Sequence, residues 1–220
     1  MFEWGSLNNT EDTMKTLLHI NSSLYSHDGV SSRLAGQFVS AWRAANAHGE
    51  VITRDLAREP VPHLTEERFA AFLEKPAQRT AAQRAIVDAS DGLISELERA
   101  DVIVLGLPFY NFGVPSTLKA YFDHVARAGV TFKYTDKGAV GLLTGKQAYV
   151  FAARGGSYAG TPGDTQTAYV RQFLGFLGID DIEFVYAEGL AISEASKEAS
   201  LARAKREVEL LGTHELPVAA

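Results

Sequence analysis

Cysteine is absent from all 220 residues. That rules out disulfides, thiolate nucleophiles, iron–sulfur ligation and cysteine-ligated zinc together. Any redox chemistry must therefore reside in a bound cofactor. Long apolar runs are missing as well, none approaching the roughly 20 residues that span a bilayer. The first residues lack the basic stretch and apolar core of a secretory signal, so the expected compartment is the cytoplasm. The triplets Asn8-Asn9-Thr10 and Asn21-Ser22-Ser23 then carry no glycosylation meaning. No basic cluster occurs, and the net charge of −6 argues against nucleic acid or an anionic membrane as partner. Glycine fingerprints for dinucleotides, GxSxG nucleophile elbows and metal-ligand spacings are all missing. Gly141-Leu142-Leu143-Thr144-Gly145-Lys146-Gln147 comes near a phosphate loop. It is one residue short, has no Ser or Thr after the lysine, and precedes a strand instead of a helix.

What is present is ordinary globular composition, 46% hydrophobic and 22% charged, in a length that suits one α/β domain. Residues 1–13 are polar and aperiodic, and read as a disordered extension, a cloning remnant or a start placed upstream of Met14. From there the chain alternates. Strands are expected over Thr16–Asn21, Glu50–Asp55, 101–107, 146–152 and 182–187. Helices are expected over 31–47, with Leu34, Phe38 and Trp42 on one face, and over 65–73, 77–99, 116–126, Thr165–Leu177 and 193–211. Such alternation predicts a parallel sheet with helices on both faces, and five units suit the flavodoxin-like order 2-1-3-4-5. Residues 14–220 read as one domain.

Three segments fall where an open parallel sheet binds ligands, at the carboxyl ends of strands. The first, residues 22–32, crowds hydroxyls and Gly29 before a helix whose N-terminus presents unpaired N–H groups, a combination suited to phosphate. The alternative is a polar turn in which Ser31 or Ser32 only caps the helix. The second, Leu105 to Pro115, places Phe109, Tyr110, Asn111 and Phe112 after a buried strand, with Pro115 well suited to a helix start. Those aromatics suit a flat apolar ligand, or else a core or dimer interface. The third is Ala153-Arg154-Gly155-Gly156-Ser157-Tyr158, whose adjacent glycines permit close approach of a planar group or simply form a tight turn. Together they describe a mononucleotide site with a flat ring. His19, inside a strand, reads as a satisfied core residue, and His124 and Arg127 as helix-surface residues with a pocket nearby as the alternative.

The loop Pro108-Phe109-Tyr110-Asn111-Phe112 and the run from Ala126-Arg127 through Gly129-Val130-Thr131-Phe132-Lys133-Tyr134-Thr135 resemble the FMN-dependent NADH-azoreductase family. Arg154-Gly155-Gly156, the run from Phe173 to Gly178 and Ala187-Glu188-Gly189 match as well, so the resemblance covers nearly everything from Met14 onward. It implies a flavodoxin-like homodimeric NAD(P)H:quinone oxidoreductase, with one non-covalent FMN per subunit and NADH or NADPH as co-substrate. Quinones and aromatic azo compounds would be reduced two electrons at a time in a ping-pong cycle. Phosphate contacts would fall on Ser23, Gly29, Val30 and Ser31. The family often has Ser-Gln-Ser where this chain has Gly29-Val30-Ser31, so the first two would offer main chain alone. Ring contacts would fall on Phe109, Tyr110, Asn111 and Phe112 and on Ala153, Arg154, Gly155 and Gly156. Phe132 and Tyr134 would wall the acceptor pocket, which in the family lies between two subunits. No side chain is required as acid or base, because the flavin carries the chemistry. A flavodoxin-type electron carrier, or a flavin-free partner-binding domain, are the other readings.

Overall fold

A computed structural model describes residues 14–213 of the chain. The reading of residues 1–13 lies outside the described residues. Five parallel strands, β1 (Thr16–Asn21), β2 (Glu50–Asp55), β3 (Val102–Pro108), β6 (Gln147–Ala153) and β7 (Asp181–Ala187), make one sheet in the order β2-β1-β3-β6-β7. This is the expected order with two extra strands interposed in sequence. Those are β4 (Phe132–Thr135) and β5 (Gly138–Gly141), an antiparallel hairpin that pairs outside the main sheet. Each has four residues, too few to show a period, and so the sequence pattern passes over them.

Side chains alternate across each central strand. Leu17, Val102 and Val104 join the layer formed with α1 (Val30–Ala45) and α6 (Glu194–Thr213). Leu18, Ile20, Ile103 and Leu105 join the opposite layer with α3 (Ala81–Arg99), α4 (Ser116–Val125) and α5 (Thr165–Leu177). A strand buried on both faces must be apolar throughout, which is why β3 reads as a continuous hydrophobic run. Leu34, Phe38 and Trp42 of α1 are buried as the spacing predicts.

The expected helix over 77–99 breaks. A short 3-10 turn, Pro76–Gln78, is followed by extended Arg79, and Thr80 then opens α3 with a reciprocal capping box to Gln83. Ahead of it lies α2 (Glu66–Leu73), whose Phe72 packs edge-on against His124 at 5.8 Å.

In a parallel sheet every strand ends on the same edge, so helices that follow strands return to the opposite edge. The β4–β5 hairpin follows α4 and is therefore held at the amino edge. It is anchored there by Leu143 N–H donating to Leu177 O at 2.8 Å and by the backbone of Gly141 lying against Gly178. A Cβ on Gly141 would sit 2.0 Å from Gly178 N. We expect Gly141→Ala to lower unfolding free energy by about 2–3 kcal/mol, read as a reduced denaturation midpoint. An unchanged midpoint would show that the hairpin does not bear on the α5 terminus.

Candidate functional site

The loop after β1 wraps the start of α1. Gly29 caps that helix without a side-chain hydrogen bond, and the N–H groups of Val30, Ser31 and Ser32 have no partner among the described residues. Ser31 and Ser32 are buried with unpartnered Oγ atoms. A Cβ on Gly29 would fall 2.3 Å from Ser23 Oγ, so only glycine lets the helix start press against Ser23. The Ser26 hydroxyl bonds the Asp55 carboxylate and ties this loop to the end of β2. Unpaired amides, the positive end of a helix dipole and buried hydroxyls make an anion cradle.

Beside it, Tyr110 to Gly113 closes a tight turn with reciprocal main-chain bonds of 3.3 and 3.0 Å. Asn111 and Phe112 both take positive φ, 49° and 62°, the conformation of a type I′ turn. Asparagine tolerates it, whereas phenylalanine is strained there. The strain is held from α5: Gln166 Nε2 donates to Pro108 O at 2.8 Å and to Gly113 O at 3.2 Å, and the Thr165 hydroxyl bonds Phe112 O. Tyr110 turns its hydroxyl to the first loop, accepting from Leu24 N–H at 3.3 Å and lying 3.4 Å from Ser23 Oγ. It is a strut between two loops. Phe112 is 61% exposed, with its ring edge-on to those of Phe109 and Tyr158 and the rest of it open on the edge.

The loop after β6 is built on Arg154. Its side chain is 0% exposed and reaches Asp164 at 2.9 Å and Glu188 at 3.1 Å. The guanidinium lies 5.2 Å from the Phe109 ring and 5.0 Å from that of Tyr186. Backbone N–H groups of Gln166 and Thr167 complete the Asp164 carboxylate, and those of Tyr158 and Ala159 complete Glu188. Burial pushes the Asp164 pKa up, but bonds from Arg154 and Thr167 together outweigh it and hold the carboxyl below its usual value. Both main-chain groups of Arg154 are also taken, by Ala187 O and Leu190 N. Arg154, expected among the ring contacts, is thus a buried framework residue, with only its Nε left without a hydrogen-bond partner. The amides of Gly155 and Gly156 have no partner among the described residues and remain available.

The structure therefore brings Ser23, Gly29, Val30, Ser31, Phe109, Tyr110, Asn111, Phe112, Ala153, Gly155 and Gly156 to one edge. It does not bring Phe132 and Tyr134 there. Phe132 is 7% exposed and packs 4.3 Å from Phe176, inside the core at the opposite edge. Tyr134, on the same hairpin, is 75% exposed. The residues that sequence reasoning passed over are Asp164, Thr165, Gln166 and Glu188. Asp164 shows as a helix cap, but nothing in the spacing indicates that its helix braces a loop after another strand. His124 lines a separate cavity of about 380 Å³ between α2, α3 and the segment after β2, while Arg127 is buried against Ser90 and Asp91. His19 is buried with an unpartnered Nε2, so it is not the satisfied residue expected. Burial lowers its pKa to about 4, against a smaller opposing influence of the neighbouring Asn21 side chain.

The family described as flavodoxin-like fold matches residues 15–211. An FMN-dependent NADH:quinone oxidoreductase of Cellvibrio japonicus is 56% identical over 196 residues, covering 89% of this chain and 98% of that protein. The protein of the same description from Azotobacter vinelandii is 48% identical over 195 residues, with the same coverages of 89% and 98%. Among solved structures, an azoreductase from Bacillus anthracis superimposes with a TM-score of 0.83 at 27% identity, covering 90% of this chain and 99% of its own. An FMN-dependent NADH-azoreductase from the same species, in complex with FMN, has a TM-score of 0.80 at 26% identity, covering 91% and 100%.

Arg154→Met would leave Asp164 and Glu188 buried without their cation. The expected loss is about 3–5 kcal/mol of unfolding free energy, measured by denaturant titration. The His19 site sets an acid limb. Its folded-state pKa lies below the usual 6.5, so the unfolded chain binds the extra proton. Stability should then fall as pH drops from about 6.5 toward about 4, by about 3 kcal/mol in all, and the His19→Gln variant should lose this part of the slope.

Proposed function

This chain belongs to the flavodoxin-like family of FMN-dependent NADH:quinone oxidoreductases, and from that premise we propose a mechanism and a set of contacts for it. It binds FMN and carries two electrons from NADH to quinones and aromatic azo compounds. The observation that carries the reading is the anion cradle: buried, unpartnered Ser31 and Ser32 hydroxyls beside unpaired amides at the start of α1. That donor set fits the phosphate of a mononucleotide. Ser23 supports it through Gly29, and Val30 contributes its main chain.

A ring extending from the cradle would lie along the loops after β3 and β6. Asn111, Phe112, Gly155 and Gly156 would hold it there with free amides, while Phe109, Tyr110 and Ala153 shape the floor beneath. FMN supplies the hydride chemistry when bound. The unpaired N–H groups of these residues would stabilise charge on the bound ring, so the protein's part would be positioning and electrostatics. The exposed Phe112 ring gives flat acceptors a surface on which to stack.

Two further features belong to the proposal. We take the active form as a homodimer, because Tyr134, Val140 and Leu142 expose an apolar patch at the edge remote from the cradle. Tyr134 would then wall the pocket of a second copy, while Phe132 supports the hairpin from inside. We place the enzyme in the cytoplasm, where its nicotinamide co-substrate is supplied.

The test is direct. Purified protein should show the absorbance of oxidised flavin, lose it anaerobically on adding NADH, and regain it on adding a quinone. A colourless protein that cannot bind added FMN would overturn the reading. Bound FMN that NADH reduces but no quinone reoxidises would favour an electron carrier.

A further inference from the structure

The three loops carry many polar side chains, and several of them are committed to partners within the fold. Ser22 Oγ donates to Gly106 O at 2.7 Å, and Ser23 pairs with Tyr110. Ser26 is held by Asp55, and Thr165 is spent on Phe112 O. Thr161 donates to Tyr158 O at 2.8 Å, and Arg154, Asp164 and Glu188 satisfy one another. Besides the Ser31 and Ser32 hydroxyls of the cradle, the side chains of Tyr25, Asn111, Ser157 and Tyr158 have no hydrogen-bond partner among the described residues. Tyr25 is 72% exposed on the loop after β1, away from the glycine pair, and the Ser157 hydroxyl is a far weaker acid than a phenol. Asn111 is an amide and can donate a hydrogen bond but not a proton. Tyr158 is a phenol and can do both.

Tyr158 is also held in place. Its own N–H donates to Glu188 Oε1 at 2.9 Å. Its ring lies 5.0 Å from that of Phe109 and 5.8 Å from that of Phe112. The hydroxyl end lies over the glycine pair, 2.8 Å from where a Cβ on Gly156 would stand. A rigid aromatic wall thus carries one free hydroxyl beside the unpaired amides of Gly155 and Gly156.

We propose that Tyr158 is a catalytic residue of the oxidative half-reaction, donating its phenolic proton to the electron acceptor. This rests on the flavoenzyme reading above. A quinone receives two electrons and one proton as hydride from the reduced cofactor. Tyr158 breaks its O–H bond to deliver the second proton to a quinone oxygen, giving the hydroquinone. The phenolate left behind takes a proton from water. For an azo compound the same proton goes to nitrogen. Phe109 and Phe112 hold the ring, and Glu188 holds the backbone behind it, so the Glu188 carboxylate positions Tyr158 without touching the acceptor.

Stopped-flow kinetics on the FMN-loaded enzyme separates this step from the rest. Wild-type protein must first bind FMN and be bleached by NADH; failure there counts against the flavoenzyme reading and not against Tyr158. In Tyr158→Phe, which keeps the ring, reoxidation by a 1,4-naphthoquinone should slow relative to reduction by NADH by on the order of a hundredfold. Wild-type reoxidation, or an equal fall in both half-reactions, would overturn the proposal, since the second outcome reports flavin placement. A second measurement stands apart from the stability of that variant. Incorporating a fluorinated, more acidic tyrosine at position 158 should move the alkaline limb of the reoxidation pH profile toward acid. A limb that stays put would overturn the proposal equally.

Discussion

The Arg154 guanidinium, buried between Asp164 and Glu188, is the interaction on which the carboxyl edge of this sheet depends. It joins the loop after β6, the start of α5 and the loop after β7. It also lies over the rings of both Phe109 and Tyr186. From Asp164 the chain runs directly into Thr165 and Gln166, which clamp the strained turn at Asn111 and Phe112. From Glu188 it reaches Tyr158. One cation thereby sets the relative positions of two loops that must face the same ligand. The excess negative charge of two carboxylates against one guanidinium is balanced by four backbone N–H groups. Arginine suits the task because its fork can bond several acceptors at fixed angles while stacking on rings.

The proposed site divides into an anion cradle and a braced edge formed by the loops after β3 and β6, linked by Tyr110. The cradle needs little from elsewhere in the fold: a helix start, a glycine and nearby hydroxyls within a single loop. The edge needs α5, β7 and their connections, so its geometry is shared among segments far apart in sequence. The strained φ of Phe112 is tolerable only because Gln166 and Thr165 hold both sides of the turn. That strain keeps the Phe112 ring out on the surface, where a flat acceptor would stack.

The hairpin lies at the amino edge of the sheet, away from the three loops at the carboxyl edge. Phe132 and Tyr134 resemble pocket residues in sequence, but parallel topology sends them to the far side of the sheet. Phe132 is consumed by the core beside Phe176. Tyr134 stays exposed on the same hairpin.

The five long strands, the position of α1 and the three ligand-facing loops were legible from the sequence because each follows a local rule. Apolar runs mark strands buried on both faces, 3.6-residue spacing marks helices, and glycine with hydroxyls before a helix marks an anion site. Residue-by-residue resemblance added the identity of the ring ligand. The four-residue strands were not legible, being shorter than any period, and neither was the break before Thr80. The role of Arg154 could not be read at all. A charged residue next to two glycines looks like a ligand contact, and only packing reveals that its side chain turns inward to two carboxylates 10 and 34 positions away. Sequence alone determined which segments could meet at the carboxyl edge. The tertiary structure decided which of their side chains face that edge, because burial and pairing between distant residues set that direction and leave no local pattern.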